Sequence, residues 1–308
     1  MRGEMIKVKV WEGEEKSEFE VRRSGLGVLK GLERWGVLSL SQIEGLVFGK
    51  ASGRKRLELF FNGRFKDEYR GAAYKVLERL VKRGLVMGQS YVNLTRVYSL
   101  TRKGHAALVE SGLAGLEDYR DAVSDSMIRH ELLVSGIGLV ISELIGLPVA
   151  TNFEHQILKR GEAGQGSPSP DLWVSIGVGA QPLGGSAQSL GGGSNAIEVE
   201  RSLKSAERYQ GLWELYRYYF SGGGVVLYIT AWPGLSHKIL SLARKFLMDF
   251  IYVCPLEDFR KSLGKGAFVN YRGEQFSLGR PQSVEPLSQG LGAQRPRPEH
   301  KLALGLPR

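Results

Sequence analysis

Cysteine is almost absent: Cys254, in the run MDFIYVCPL, stands alone among 308 residues. An intrachain disulfide framework and a thiolate-rich zinc site are thereby excluded, and the composition fits a reducing, cytoplasmic setting. Long apolar runs are also missing. The longest, GIGLVISELIGLPVA, is interrupted by Glu143 and is too short to span a bilayer, so no membrane partner is expected. The N-terminus alternates apolar and charged residues in MIKVKV and does not read as a signal peptide. The triplet Gly191, Gly192, Gly193 lacks the Lys-Ser/Thr pair and the helix start of a phosphate-binding loop. Acid is in deficit: 42 Lys and Arg face 32 Asp and Glu, for a net charge of +10.

That excess is unevenly spread. Residues 1–124 carry 23 basic and 16 acidic side chains, residues 125–279 carry 14 of each, and residues 280–308 carry 5 and 2. A basic module beside a neutral one points to a polyanion partner for the first. The last stretch has five prolines and almost no aromatic residues, which predicts a disordered basic tail.

Two alternating strands, MIKVKV and SEFEVRR, open the chain around the turn EGEE. GLGVLKGLERW repeats Leu26, Leu29, Leu32 and Trp35 at helical spacing, with Gly36 as its stop. VLSLSQIEGLVFG predicts a short second helix capped by Ser41. A loop rich in Arg and Lys is expected next. DEYRGAAYKVLERLVKRGLV predicts a third helix with Ala73, Val76, Leu77 and Leu80 inward and Gly84 as its terminator. VMGQSYV and RVYSLTRKGHAAL follow as a hairpin and a short helix.

The order of three helices and a hairpin, with LERLVKRGLV…RVYSLTRKG, resembles prokaryotic winged helix-turn-helix domains. That resemblance implies a helix with an apolar inner face and a basic outer face, able to enter a major groove about 12 Å wide. Arg70, Lys75, Arg79, Lys82 and Arg83 would reach phosphates and base edges. Arg54, Lys55, Arg56, Arg64 and Lys66 would hold the backbone of double-stranded DNA.

Further on, SDSMIRHELLVSGIGLVISELIG predicts an amphipathic helix, with Ser124 or Ser126 as its cap. LPVATNFEHQIL and PSPDLWVSIGV predict strands, and the Gly-, Ser- and Gln-rich stretch at about 177–195 predicts an insertion between them and NAIEVE, the third strand. SLKSAERYQGLWELYRYYF, GGGVVLYIT, SHKILSLARKFL and DFIYVCPLEDF complete an α-β-β-β-α-β-α-β series, a hairpin followed by crossover helices and parallel strands. The stripe Trp213, Leu215, Tyr216, Tyr219 and Phe220 is expected to pack the core. Within NAIEVE, Glu198 and Glu200 share one face of a strand, roughly 6–7 Å apart. Like charges that close repel unless a cation intervenes, a proton binds, or the strand end is simply solvated.

Pro170-Asp171 opening one strand, then Glu198-Val199-Glu200 in the next, then a helix, resembles the PD-(D/E)XK nuclease superfamily. More narrowly, a winged helix, His130 in the linking helix, Pro-Asp, and AIEVERS…RY…LYRYY resemble the plasmid replication-relaxation (mobilisation accessory) family over residues 25–255. Glu200 stands where that family often has Asp, and Leu203 where it often has Thr. The resemblance implies an α/β (α+β) chain: a winged-helix domain at 1–120, a restriction-endonuclease-like domain at 121–279, and the tail at 280–308.

It also implies a catalytic set of Asp171, Glu198, Glu200 and Lys204, with the three acids holding Mg²⁺ through oxygen ligands. The superfamily's usual lysine is replaced by Glu200, and Lys204 would restore the cation from another direction. Arg201 and Arg208 would contact phosphate, and Glu131 and Glu154 are further acids. The structural alternatives pair Glu198 with Arg201 or Arg208, make Asp171 a turn cap, and make His130 a hydrogen-bonded core histidine. Three functions follow: a DNA-binding accessory protein beside a relaxase or replication initiator, an Mg²⁺-dependent nickase or endonuclease, or a transcriptional regulator whose non-catalytic second domain only dimerises or senses a ligand.

Overall fold

The computed structural model describes residues 5–12, 15–48, 53–61, 71–90, 96–114, 119–120, 123–159, 168–176, 194–220 and 224–278. Over the described residues the fold is mixed α/β, with three sheets. Strands β1 (Met5–Glu12) and β2 (Glu15–Arg22) form an antiparallel ribbon, with Met5 opposite Arg22. Helix α1 (Arg23–Trp35) buries Val28, Leu29, Leu32 and Trp35, and stops at Gly36, whose φ of +74° favours glycine.

A three-residue strand, β3 (Val37–Ser39), then leads into α2 (Leu40–Ile43). The cap is Ser39 rather than Ser41. Ser39 and Gln42 satisfy each other's backbone N–H groups reciprocally, while Ser41 is buried 2.9 Å from the Ser39 hydroxyl. The turn continues as a π-helix over Glu44–Phe48.

The expected basic loop is a helix, α3 (Gly53–Phe61). Leu57 and Phe60, three apart, are buried, and that apolar pair overrides the charged residues around it. Helix α4 (Ala72–Lys82) buries Ala73, Val76, Leu77 and Leu80, and Gly84 follows it at φ +68°. Strands β4 (Val86–Gln89) and β5 (Val97–Leu100) pair antiparallel, and β3 adds to them in the order β3-β5-β4. Helix α5 (Arg102–Glu110) is capped by Thr101, whose hydroxyl accepts from the Gly104 N–H at 3.0 Å.

Helix α6 (Asp125–Val140) was expected to be amphipathic. Instead it is buried on every side from Val134 to Val140 and runs into a π-helical turn, Ile141–Ile145. It is wedged between the N-terminal helices and the large sheet. Gly136 and Gly138 make room there for the Phe60 carbonyl and the Trp35 ring. One continuous apolar cluster therefore runs from Val28 through Ile137 to Leu278.

The large sheet has seven strands in the order β12-β11-β10-β9-β8-β7-β6. The expected first strand shrinks to β6 (Val149–Thr151), followed by α7 (Asn152–Lys159). The Thr151 hydroxyl accepts from the Glu154 N–H at 3.2 Å, and Glu154 Oε2 accepts from the Thr151 N–H at 2.6 Å. This T-x-x-E box starts a helix. Then come β7 (Leu172–Ser175), β8 (Ser194–Glu200), α8 (Ala206–Tyr219), β9 (Val226–Thr230), α9 (Pro233–Lys245) and β10 (Ile251–Pro255). Helix α10 (Leu256–Lys261) and two short strands absent from the expectation, β11 (Phe268–Val269) and β12 (Gln275–Phe276), close the sheet. Strands β8, β9 and β10 are parallel, whereas β6, β7 and β8 are antiparallel.

Strand alternation sorts the two faces. Leu172, Val174, Ile197, Val199, Leu227 and Ile229 join the cluster shared with α6. Trp173, Ala196, Val226 and Tyr228 join α8 and α9 in a second cluster. Glu198 and Glu200 therefore point to the α8 side. Residues 177–193 of the expected insertion and the tail at 280–308 lie outside the described residues. Ser194 and Asn195, taken as the end of that insertion, already belong to β8, where Asn195 Oδ1 accepts from the Val225 N–H at 3.1 Å.

Candidate functional site

The site forms where β7 begins and β8 ends. Leu172 pairs with Ile197 in the antiparallel ladder, so the residue before it, Asp171, stands beside Glu198. Asp171 Oδ2 accepts from the Val199 N–H at 2.7 Å, and its Oδ1 lies 3.0 Å from His130 Nε2 on α6. Backbone and imidazole together fix the carboxylate. Asp171 is thus more than a turn cap, and His130 touches the site directly.

Glu198 and Glu200 are buried, at 8% and 4% exposure. Neither pairs with Arg201 or Arg208, which are exposed. Glu198 Oε1 accepts from the Tyr216 hydroxyl at 2.6 Å, and Tyr228 is its register partner on β9. Glu200 Oε2 accepts from Lys204 Nζ at 2.6 Å and from the Tyr209 hydroxyl at 3.1 Å. Lys204 was expected inside the following helix. It lies instead in the loop ahead of α8, whose cap is Ser205, accepting from the Arg208 N–H at 3.3 Å.

The electrostatics follow from burial. Desolvation first, and the Asp171 charge second, raise the Glu198 carboxyl to about 8, against the opposing pull of the Tyr216 hydrogen bond and Lys204. Burial and the neighbouring acids hold the phenols of Tyr209, Tyr216 and Tyr228 above their ordinary value, so they remain donors. Burial pulls His130 down. The Asp171 hydrogen bond and the charges of Asp171 and Glu131 outweigh it, and the imidazole titrates above its usual value.

The further acids are committed elsewhere. Glu131 pairs with Arg120 at 2.5 Å, and Glu154 with Arg34 at 3.2 Å. A cavity of about 200 Å³ between α6, β6 and α7 opens onto Asp171, with Glu131, Asn152 and Gln156 on its walls. Among the described residues, no group of three or more His, Cys, Asp or Glu side chains forms a preformed metal cluster.

Three residues of the site were absent from the expected site set: Tyr209 and Tyr216, which entered only through the RY…LYRYY resemblance and the core stripe, and Tyr228. The first two are seven positions apart, two helical turns on one face, and they meet acids two apart on a strand. That match of periods was the available signal. Trp213 and Tyr216 do pack the core as expected, with the Trp213 N–H donating to the Tyr228 hydroxyl at 2.9 Å.

In the N-terminal part of the chain, Lys75, Arg79, Lys82 and Arg83 lie on the exposed side of α4 and its C-terminal turn, opposite the buried Ala73, Val76, Leu77 and Leu80. Arg54 and Lys55 are exposed on α3. Arg56 is not a free backbone contact: it donates to the Gly45 carbonyl at 3.0 Å and pairs with Glu143 at 2.8 Å. Arg70, Arg64 and Lys66 lie outside the described residues. Among the described residues, no helix is long and apolar enough to cross a membrane. No protein-family model, no curated protein and no solved structure matches the chain.

Proposed function

We propose that the chain is a cytoplasmic DNA-binding protein of plasmid replication or mobilisation, akin to the replication-relaxation family, whose acidic cluster is an Mg²⁺-dependent site for the phosphodiester backbone. The observation that carries this reading is the meeting of Asp171 and Glu198 at one strand end, with Lys204 held beside them on Glu200. Support for the DNA-binding half comes from helices packed ahead of the β4-β5 hairpin, in the order α1, β3, α2, α3, α4, β4, β5, which has one helix more than the expected three, and from the cations on the outer side of α4. The hairpin β7-β8, crossover helix α8 and parallel β9 support a nuclease-like plan for the rest.

The donor set fits a hard divalent ion. Magnesium keeps several waters and takes only one or two carboxylates together with substrate phosphates. Asp171 and Glu198 would hold it, and Glu198's raised pKa marks a buried cluster short of positive charge. When bound, the ion supplies charge neutralisation and a water of lowered pKa. His130 and the Val199 N–H hold Asp171 in place, and Tyr216 donates to Oε1 of Glu198. Lys204, paired with Glu200 at 2.6 Å, would supply a cation for the charge that grows on the phosphate. Arg201 and Arg208 are exposed to meet the backbone.

The test is supercoiled plasmid incubated with protein and Mg²⁺. Open-circular product, lost in Asp171→Ala and in Glu198→Ala, is the expected result; plasmid left intact by the wild type defeats the catalytic part. One observation favours a second reading, an accessory protein that only binds beside a relaxase or initiator. Glu198 is sealed by a phenol and sits as a neutral acid near pH 7. Tight duplex binding with intact plasmid is its signature.

A further inference from the structure

The loops leaving the parallel strands at this site carry a tryptophan that neither the core nor the acids use. Strand β9 ends at Thr230, the register partner of Glu200, and the Ala231 N–H donates to the Glu200 carbonyl at 2.9 Å. Trp232 follows at once and is 47% exposed, whereas Trp35, Trp173 and Trp213 are at 3% or below. Its placement is set by the fold. The Trp232 carbonyl accepts from the Leu235 N–H at 3.1 Å and from the Thr230 hydroxyl at 3.4 Å. Its indole edge lies over Gly234, where an added Cβ would meet ring atoms at 3.3 and 3.5 Å. One edge of the ring lies against Gly234, and about half of the residue is exposed. The neighbouring loop after β8 carries exposed Arg201 and Leu203, and Arg208 is exposed on the first turn of α8.

We propose that Trp232 is a stacking platform for an unpaired nucleobase, so that the acidic site engages single-stranded or locally opened DNA. This rests on the DNA-binding reading above and names its substrate class. Every base has a π-face, so an indole held open stacks bases without regard to sequence, while nearby guanidinium groups follow the phosphates. An exposed indole with Arg201 and Arg208 on the neighbouring loop and helix, and Leu203 as the exposed apolar side chain of that loop, suits a charged strand better than the continuous apolar patch of a protein partner.

The test compares wild type, Trp232→Ala and Trp232→Phe for binding of a short oligothymidylate and of a duplex, with tryptophan fluorescence as a second readout. Wild-type fluorescence should be quenched by the oligothymidylate. Trp232→Ala should weaken that binding about tenfold and leave duplex affinity unchanged, whereas Trp232→Phe should stay within about threefold. Unchanged oligothymidylate affinity in Trp232→Ala overturns the platform. Duplex binding without oligothymidylate binding also overturns it and leaves the DNA-binding reading standing, whereas binding of neither removes both. Altered self-association in Trp232→Ala with unaltered oligothymidylate affinity reassigns the ring to protein docking and overturns the proposal.

Discussion

Tyr216 donates its phenolic hydrogen to Glu198 Oε1 across 2.6 Å, and both residues are buried. The bond favours the charged carboxylate, yet burial and the Asp171 charge outweigh it and raise Glu198 from 4.5 to about 8. Between those values the folded chain holds a proton that the unfolded chain has released. Stability therefore falls as pH rises through that window and levels off above it. His130, also raised, adds loss of the same sign once its own unfolded pKa is passed.

Glu198→Gln tests this directly. The amide stays neutral and still accepts from Tyr216. Thermal unfolding should show the variant more stable than wild type by several degrees at pH 8, with little difference near pH 5. A wild-type midpoint that does not change between those two conditions would refute the raised carboxyl.

Asp171→Asn removes the second-largest cause of that shift while keeping a side-chain oxygen for the Val199 N–H. The pH window of instability should narrow from its upper end. The same unfolding series reads it, and an unmoved upper limit would mean that Asp171 is electrically remote from Glu198.

Magnesium and the proton compete for Glu198 in the proposed site. Added Mg²⁺ should raise the unfolding temperature more at pH 8 than at pH 6, its binding stabilising the fold by up to about 2.7 kcal/mol at one hundred times its dissociation constant. Asp171→Ala should abolish the gain. An equal response in wild type and variant would place the ion elsewhere.

The acids were legible because each is marked locally: Pro170-Asp171 opens one strand, and Glu198 and Glu200 share a face of the next. The ladder between β7 and β8 then had only one way to bring them together. The tyrosines were hidden because a phenol on an apolar helix face reads as core whether or not its hydroxyl has work to do. Tyr216 is both. The helix α3 was missed because Arg54, Lys55 and Arg56 outweigh Leu57 and Phe60 in composition, although two buried side chains suffice to seat a helix. Burial of α6 on all sides depends on Trp35 entering at Gly138, a contact between positions far apart in the chain. No local pattern encodes such a contact.

The basic residues separate by the same logic. Lys82 is 74% exposed and makes only a local pair with Glu78 at 3.5 Å, whereas Arg56 is tied to Glu143 and the Gly45 carbonyl. Each phosphate contact contributes about −0.9 to the slope of log affinity against log salt on duplex DNA. Lys82→Ala with Arg83→Ala should therefore weaken duplex binding and flatten the slope by up to about 1.8. Arg56→Ala should do the opposite: leave the slope alone and lower stability by about 1–3 kcal/mol, because a partly buried carboxylate and a carbonyl lose their donor. Salt titrations and thermal melts of the two variants side by side decide it. A flattened slope in Arg56→Ala would show that the ion pair opens to meet DNA, and an unaltered slope in the double variant would remove α4 from the interface.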